Sequence, residues 1–495
     1  MTTDLATEHG LAGAVRRGLG WSALSNLVLR AGSLSVGIVL ARLLSPEEFG
    51  AYAVALTVQT VLMTLADLGL SADLVRSEDP ERRAPTVATL GLVSGLVLAA
   101  LMALLAGPLA TAMGSSASTP AVRVLALTLA LGGLGVVPYA RLVRSFQQRR
   151  LLAVALTDLV VSTTVTVALV LADVGIVSIA IGRVLGQGLA LLLQFRLAQV
   201  RPRFGLDRRL GRSAVGFGLP VALANLLSWA LLSIDTVVVA RGLGGVELGL
   251  YVLAFNISTW PMSVLGQVVR SVALPAFARA DRSAGGPDPT LATGVRLSWA
   301  LAVPTGAFLA LLATPLVVLV YGGSWARSSV VLVPLALFGA LRVLFDLFAT
   351  YLLARGRAAT TLVVQVVWFV ALVPAVVIGL QVGGLVGVGW AHVVVGLVVV
   401  APCYLVAVAR AGADLRPVAA ALWPPVLLVL PALAVAALAG AAGTGPGTDV
   451  LGAGLVGGAV YLLLAWPWLR RHRPSAAPPV TPVVPVPTAS QGVLL

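Results

Sequence analysis

Runs of about twenty apolar residues follow one another from end to end of this chain, and the short loops between them hold most of its charge. No other feature narrows the possible folds so far. A helix that crosses a hydrocarbon core roughly 30 Å thick needs about twenty such residues. In lipid every backbone N–H and C=O must be bonded within its own segment or inside a closed barrel. Barrel strands read as alternations of about ten residues. The runs here are long and unbroken, so the spans are helices. Composition agrees: 59% of the 495 residues are hydrophobic and only 11% are charged, with a mean hydropathy of +1.01. A soluble chain of this length would lack the polar surface to cover itself.

Apolar length predicts helices at 19–43, 49–72, 86–107, 121–141, 151–172, 174–197, 213–240, 249–273, 292–320, 329–354, 358–380, 384–408, 418–440 and 450–469. The fold class expected is therefore an all-α integral membrane protein with fourteen transmembrane helices. The loops alternate in charge. One set carries clusters such as Arg76, Arg82 and Arg83, then Arg141, Arg144, Arg149 and Arg150, then Arg201, Arg203, Arg208, Arg209 and Arg212. The other set reads SPEE, ADVG, GLGGVE and QVGG, with almost no arginine. The excess of positive charge marks the first set as cytoplasmic. Both termini then lie on the cytoplasmic side, which requires an even number of spans.

The net charge is +14, and every cation is arginine. Because that charge sits between spans, an anionic lipid surface explains it better than nucleic acid does. The single cysteine, Cys403, excludes an internal disulfide. The opening MTTDLATEHG is polar and acidic and does not read as a signal peptide. The organisation expected is a cytoplasmic N-terminus at 1–18, six helices in 19–197, a basic cytoplasmic linker at 198–212, six more helices in 213–408, two helices in 418–469 and a Pro-rich tail at 474–495. That tail is expected to be disordered, either simply solvated or a recruiter of partners.

ARLLSPEEFGAYAVAL at 41–56 has a partner in ARGLGGVELGLYVLAF at 240–255. Ala41, Arg42, Leu44, Glu48, Gly50, Tyr52 and Ala55 match Ala240, Arg241, Leu243, Glu247, Gly249, Tyr251 and Ala254 with no gap, and Asn26 matches Asn225 upstream. Biased composition explains shared leucines. It does not explain shared Asn, Arg, Glu, Gly and Tyr. Six spans separate the copies, so both start from the same side. The second half then repeats the first in parallel, about an axis along the membrane normal. This is two parallel six-helix lobes plus two C-terminal helices, an arrangement that implies rocking transport with a site between the lobes.

Asp235 followed by Ala240-Arg241-Gly242-Leu243-Gly244 and Leu248-Gly249-Leu250-Tyr251 resembles the turn between helices 7 and 8 of Wzx-type polysaccharide flippases. Ala41-Arg42-Leu43-Leu44-Ser45-Pro46-Glu47-Glu48-Phe49-Gly50 is similar to their turn between helices 1 and 2, and Asp67-Leu68-Gly69-Leu70 to the end of their helix 2. These proteins belong to the multidrug/oligosaccharidyl-lipid/polysaccharide exporter superfamily. The resemblance is close over about 15–85 and 213–280 and does not specify a sugar. It implies a flippase of undecaprenyl-diphosphate-linked oligosaccharides in a bacterial cytoplasmic membrane, serving cell-surface polysaccharide biosynthesis. It also implies no bound cofactor, a proton or sodium gradient as a driving force, and a polysaccharide polymerase or assembly machinery as a partner.

Ionisable groups within spans are expensive and should face a cavity or a partner. Arg30 lies about 16 Å into the first span at 1.5 Å per residue, and Arg183 is about as deep in the sixth. Either could take a diphosphate bidentately; either could instead pair for packing, and Gly182 and Gly186 around Arg183 fit close helix approach. Arg270 either greets the substrate at the cytoplasmic end or snorkels to headgroups. Arg342 and Asp346, four apart on one helix face, read as an ion pair lining the cavity or as a sugar or proton contact. Asn26 and Asn225 either touch sugar or bond between helices. Asp235 and Asp67, with Asp346, are the candidates for coupling or gating; Asp235 might instead pair with an arginine of the other lobe, and Asp67 and Asp158, nearer the cytoplasmic face, read as helix-end or gate residues. Arg42 and Arg241 are expected to meet Glu48 and Glu247 across their turns. His392 could titrate within its span, though a lone histidine is more often satisfied by a backbone carbonyl.

Three rivals share these features. A membrane glycosyltransferase or polymerase would need a reactive constellation on an aqueous loop, and no paired-carboxylate, DxD, metal-binding or phosphate-cradling pattern occurs there. A drug exporter of the superfamily would favour twelve spans. A lipid II flippase also has fourteen, but the turn at 240–251 is more similar to the Wzx type.

Overall fold

The computed structural model describes residues 28–66, 69–145, 147–201, 203–280, 290–441, 443 and 445–471. The chain is helical, with no strand among the described residues. In order the helices are α1 (28–43), α2 (Pro46–Ala66), α3 (Leu70–Arg76), α4 (Pro80–Leu104), α5 (Ala106–Ala112), α6 (Thr119–Arg144), α7 (Gln148–Leu171), α8 (Val177–Ala198), α9 (Arg208–Leu243), α10 (Gly245–Ala280), α11 (Thr290–Leu311), α12 (Ala313–Tyr321), α13 (Ser328–Ala354), α14 (Ala358–Val395), α15 (Ala401–Arg410), α16 (Leu415–Ala441) and α17 (Pro446–Arg471). Ten described segments are long and apolar enough to cross a membrane. One of them, Ala359–Arg410, is 52 residues long. It is broken at Gly384, whose φ of 54° and ψ of −135° reverse the chain, a backbone that glycine adopts without penalty.

Local chemistry sets the boundaries. Ser45 and Glu48 form a capping box at the start of α2: the carboxylate Oε2 accepts from the Ser45 N–H and hydroxyl, both at 2.9 Å. Pro46 occupies the first helical position, where its missing N–H is harmless. Asp79 caps α4 by accepting from the Arg82 N–H at 3.2 Å. Asp207 caps α9 by accepting from the N–H groups of Arg209 at 2.8 Å and Leu210 at 3.2 Å. Each cap satisfies donors that a helix start leaves open.

Packing divides the helices. α4, α6, α7 and α8 pack on one another, with α2 and α3 against α6. In the second group α13 is the hub, contacting α10, α11, α14 and α15, while α16 and α17 pair and lie on α11 and α12. Large aliphatic side chains point outward: Leu96, Val97 and Leu104 on α4, Val370 and Val382 on α14, Leu438 on α16 and Leu463 on α17 are all exposed. Lipid suits an outer surface of that kind.

The two groups meet through α2 and α10. A Cβ on Gly50 would fall 1.7 Å from the Gly245 carbonyl oxygen, and one on Gly249 would fall 2.3 Å from that of Pro46. Gly249 repeats Gly50, and Gly245 repeats Pro46, so the contact is reciprocal. At the opposite end the arginine-rich loops gather. Arg144 donates to the carbonyls of Val75 and Ser77, Arg150 to that of Leu197 at 2.7 Å, and Arg83 binds the buried Asp73 at 2.9 Å. The segment between α8 and α9 is stitched to α4 there: the Gly205 N–H donates to Pro85 O and Thr89 Oγ1, Thr89 Oγ1 donates to Gly205 O, and the Asp207 N–H donates to Thr86 Oγ1.

Candidate functional site

A cavity of about 850 Å³ opens among α1, α2, α3, α6, α7 and α8. Its apolar wall is interrupted by Gln59 and Thr60 of α2, Ser71 of α3, Tyr139 of α6, Gln148 and Asp158 of α7, and Arg183, Gln187 and Gln194 of α8. The α8 residues recur at helical spacing with Ala190 and Leu191, so one face of that helix turns inward. Close approach of α7 and α8 fixes the face. A Cβ on Gly182 would fall 2.2 Å from Thr166 Oγ1, and one on Gly186 2.8 Å from Asp158 O. The glycines beside Arg183 do pack as expected, and Arg183 lines the cavity as well.

The amides are held in place. Gln59 Nε2 donates to Thr128 Oγ1 at 2.7 Å, and Gln187 Nε2 donates to the Thr128 carbonyl at 3.0 Å. The charge of Arg183 reaches both Asp158 and the half-buried Tyr52. One oxygen of Asp158, Oδ1, is buried with no hydrogen-bond partner. Buried polar atoms are nearly always satisfied; this oxygen is an unmet acceptor packed toward Gly186 of α8. The glutamines, Thr60 and Tyr139 escaped the sequence reading, whereas Asp158, expected at a helix end or gate, lines the cavity. Uncharged polar residues inside spans were the available signal: Gln187 and Gln194 lie four and eleven residues beyond Arg183, on its face.

The other sequence candidates are dispersed. Arg30 is half-buried on α1, next to the cavity-lining Leu29. Arg342 and Asp346 are half-buried on α13 in the second group; the charge of Arg342 reaches Tyr251, and that of Asp346 reaches Tyr404. Asn26 and Asp67 lie outside the described residues, as do the side chains of Asn225 and Arg270.

Asp235 on α9 is buried, and its partner is not an arginine. Oδ2 accepts from the Tyr251 hydroxyl at 2.5 Å and lies 3.3 Å from His392 Nε2. Oδ1 accepts from the Thr236 N–H at 2.7 Å. His392 Nδ1 meets the Val388 carbonyl at 2.9 Å. The histidine is satisfied by a backbone carbonyl as expected, but its other nitrogen belongs to a buried cluster joining α9, α10 and α14.

Arg42 and Arg241 do not meet the glutamates of their own turns. Arg42 Nε donates to Val320 O at 2.8 Å, and its Nη2 donates to Leu319 O. Arg241 Nε donates to Ala112 O at 2.7 Å. Each arginine thus serves the carbonyl end of a short helix in the other group, α12 or α5, where unpaired carbonyls and the helix dipole favour a cation. Glu48 is engaged by its cap, and Glu247 pairs with Arg327 at 2.5 Å. Sequence spacing within a turn carries no information about the element that packs across it.

A polytopic all-helical bundle with a polar cavity among its helices is the architecture of a membrane transporter. The fold is that of "Lipid II flippase MurJ, inward closed conformation", with a TM-score of 0.76 at 15% identity over 91% of this chain and 98% of that one. An "Inward-facing conformation of a multidrug resistance MATE family transporter of the MOP superfamily" matches with a TM-score of 0.61 at 17% identity, over 77% of this chain and 94% of that one. The chain belongs to the polysaccharide biosynthesis protein family, whose profile matches residues 39–330. It is 29% identical over 379 residues to the "Succinoglycan biosynthesis transport protein ExoT" of Rhizobium meliloti (strain 1021), covering 76% of each chain. It is 25% identical over 434 residues to the "Lipopolysaccharide biosynthesis protein WzxC" of Escherichia coli (strain K12), covering 84% of this chain and 86% of that one. The "Teichuronic acid biosynthesis protein TuaB" of Bacillus subtilis (strain 168) is 24% identical, over 67% of this chain and 69% of that one.

Proposed function

We propose that this protein moves undecaprenyl-diphosphate-linked oligosaccharide repeat units from the inner to the outer leaflet of a bacterial cytoplasmic membrane by alternating access. The polar cavity inside an otherwise apolar bundle carries the reading. Glutamine amides offer donors and acceptors that suit sugar hydroxyls, and Arg183 offers a fork for diphosphate or acidic sugar oxygens. The three named relatives concern different glycans by their names, succinoglycan, lipopolysaccharide and teichuronic acid. What they would share is the carrier and its passage, which fits a cavity lined by adaptable amides rather than one closely fitted sugar pocket.

The finer architecture follows the same reading. Dividing Ala359–Arg410 at Gly384 and adding α1, α2 and α9 to the other apolar helices brings the spans to fourteen. Two six-helix lobes, 19–197 and 213–408, rock about the linker 198–212, with 418–469 appended. The reciprocal Gly50–Gly249 contact and crossed arginines form the gate at one end. The arginine-rich end faces the cytoplasm, as do both termini, because anionic lipid and the insertion rule favour it there. A polymerase or assembly complex takes the unit on arrival outside.

The test is deletion in a strain with no redundant flippase. Carrier-linked repeat units are expected to accumulate on the inner leaflet while surface polysaccharide disappears. Unchanged exposure of the units on the outer leaflet would overturn the reading.

A further inference from the structure

The hydrogen bonds around His392 fix more than its orientation. A carbonyl oxygen only accepts, so the 2.9 Å contact with Val388 O places a hydrogen on Nδ1. Nε2 faces Asp235 Oδ2 at 3.3 Å. If neither group carried a further hydrogen there, an imidazole lone pair would oppose a carboxylate oxygen in a site where both residues are nearly inaccessible: Asp235 is 3% exposed and His392 2%. Tyr251, also buried, gives its hydroxyl hydrogen to the same Oδ2 and leaves the gap toward Nε2 unfilled. The arrangement closes only with one extra proton between the two residues, as imidazolium with carboxylate or as imidazole with carboxylic acid.

We infer that the Asp235–His392 pair is a proton-binding site, and that its proton holds together α9, α10 and α14 in the state whose outer end is closed. The inference deepens the flippase reading and rests on it for the direction of transport. Among the described residues the groups facing the pair are few. Tyr251 comes from α10; the charge of Arg342 on α13 reaches Tyr251; Phe338 of α13 covers the imidazole, its ring centre 5.1 Å away; and α14 contributes the Val388 carbonyl. α9 runs from this pair directly to Arg241, whose guanidinium crosses to Ala112, and α10 begins at the reciprocal glycine contact. Loss of the proton sets an uncompensated lone pair against a buried carboxylate, which is relieved when α14 and α9 separate. Removing the proton therefore weakens the closed outer end, and taking it up restores that end. In a cycle that delivers substrate outward, the empty carrier returns with the proton and releases it on the cytoplasmic side. The glycan-loaded and proton-loaded steps then alternate on one conformational equilibrium.

The test uses the full chain in liposomes, with Ser116→Cys and Ser324→Cys spin-labelled at the outer end in a Cys403→Ser background. Distances are read from about pH 5 to 8, the range in which histidine chemistry operates. The ratio of closed to open populations is expected to fall with rising pH, by up to about tenfold per unit for one linked proton. Asp235→Asn keeps the shape and donates an amide hydrogen toward Nε2, so it is expected to stay closed and ignore pH. A full pH response in Asp235→Asn would overturn the inference, as would a response to added sodium at fixed pH with none to pH. The parent chain gives an independent reading: ¹⁵N signals of its imidazoles, with those of His9 and His472 assigned by substitution, should show His392 changing protonation as the distance changes. Signals of His392 that stay fixed across the range would also overturn it. Glycan export is measured in parallel. Export that needs the protein while Asp235→Asn keeps its pH response defeats the proton site alone; a pH-gated protein on which no glycan export depends defeats the flippase reading alone.

Discussion

Arg183 and Asp158 face one cavity with unequal satisfaction, since the buried Oδ1 of Asp158 lacks a donor. Arg183 would hold an anionic oxygen of the substrate in that cavity. A charge-assisted hydrogen bond is worth about 1.5–3 kcal/mol, so Arg183→Ala should lower export about tenfold or more. Lysine at this position should restore only part of it, because a point charge does not reproduce a planar fork. Surface polysaccharide per unit of membrane-inserted protein measures the effect; full export by Arg183→Ala would remove this residue from the site. The sequence singled out Arg183 because a cation within an apolar run is anomalous by itself. It did not single out Gln59, Gln187 or Gln194, since an amide in a span is a mild anomaly and only the fold shows which face of α8 turns inward. His392 and Asp235, 157 residues apart, could not be paired at all from linear spacing.

At the scale of elements, apolar length located the helices well because lipid imposes a minimum length and demands internal hydrogen bonding. Breaks within helices were less legible. α4 gives way to α5 at Leu105, with φ −90° and ψ 8°, and α11 to α12 at Leu312, with φ −92° and ψ 11°. Neither break has a glycine at its hinge residue to announce it. The contact of α2 with α10 is the element-level feature open to the sharpest test. A side chain on Gly50 or Gly249 would meet backbone carbonyls that cannot rotate away. Overpacking of this kind destabilises an arrangement by about 1–3 kcal/mol. Gly50→Val is therefore expected to hold the contacting ends of α2 and α10 apart. In the cysteine pair at 116 and 324, the open population should rise about tenfold while insertion stays normal. An unchanged distance distribution would mean that the two helices part at this point in every working state.

Over the whole molecule, the duplicated turn becomes intelligible through its contacts. The repeat was legible because Arg, Glu, Gly and Tyr recur at one offset, but its purpose was not, because a match within one chain says nothing of what lies across an interface. Each copy supplies a glycine to the same reciprocal contact and an arginine to the carbonyl end of the other group's short helix. Trp325 adds a one-sided bond, its Nε1 donating to Ala41 O at 2.6 Å, and stacks edge-on to Phe49 with ring centres 5.3 Å apart. A duplicated turn can hold two groups of helices together by using one set of contacts twice, and parting them must then break both copies together. Arg42→Ala and Arg241→Ala should for this reason act alike, although they sit 199 residues apart and touch different helices. Both guanidiniums are exposed, so each bond is screened to about 1 kcal/mol. Each single variant should raise the open population roughly fivefold. If the outer end opens as one unit, the double variant should multiply the two effects rather than repeat one of them. A double variant no more open than either single one would show that the two arginines guard separate doors, and the proposed rocking of two halves would have to give way to local movement of α5 and α12.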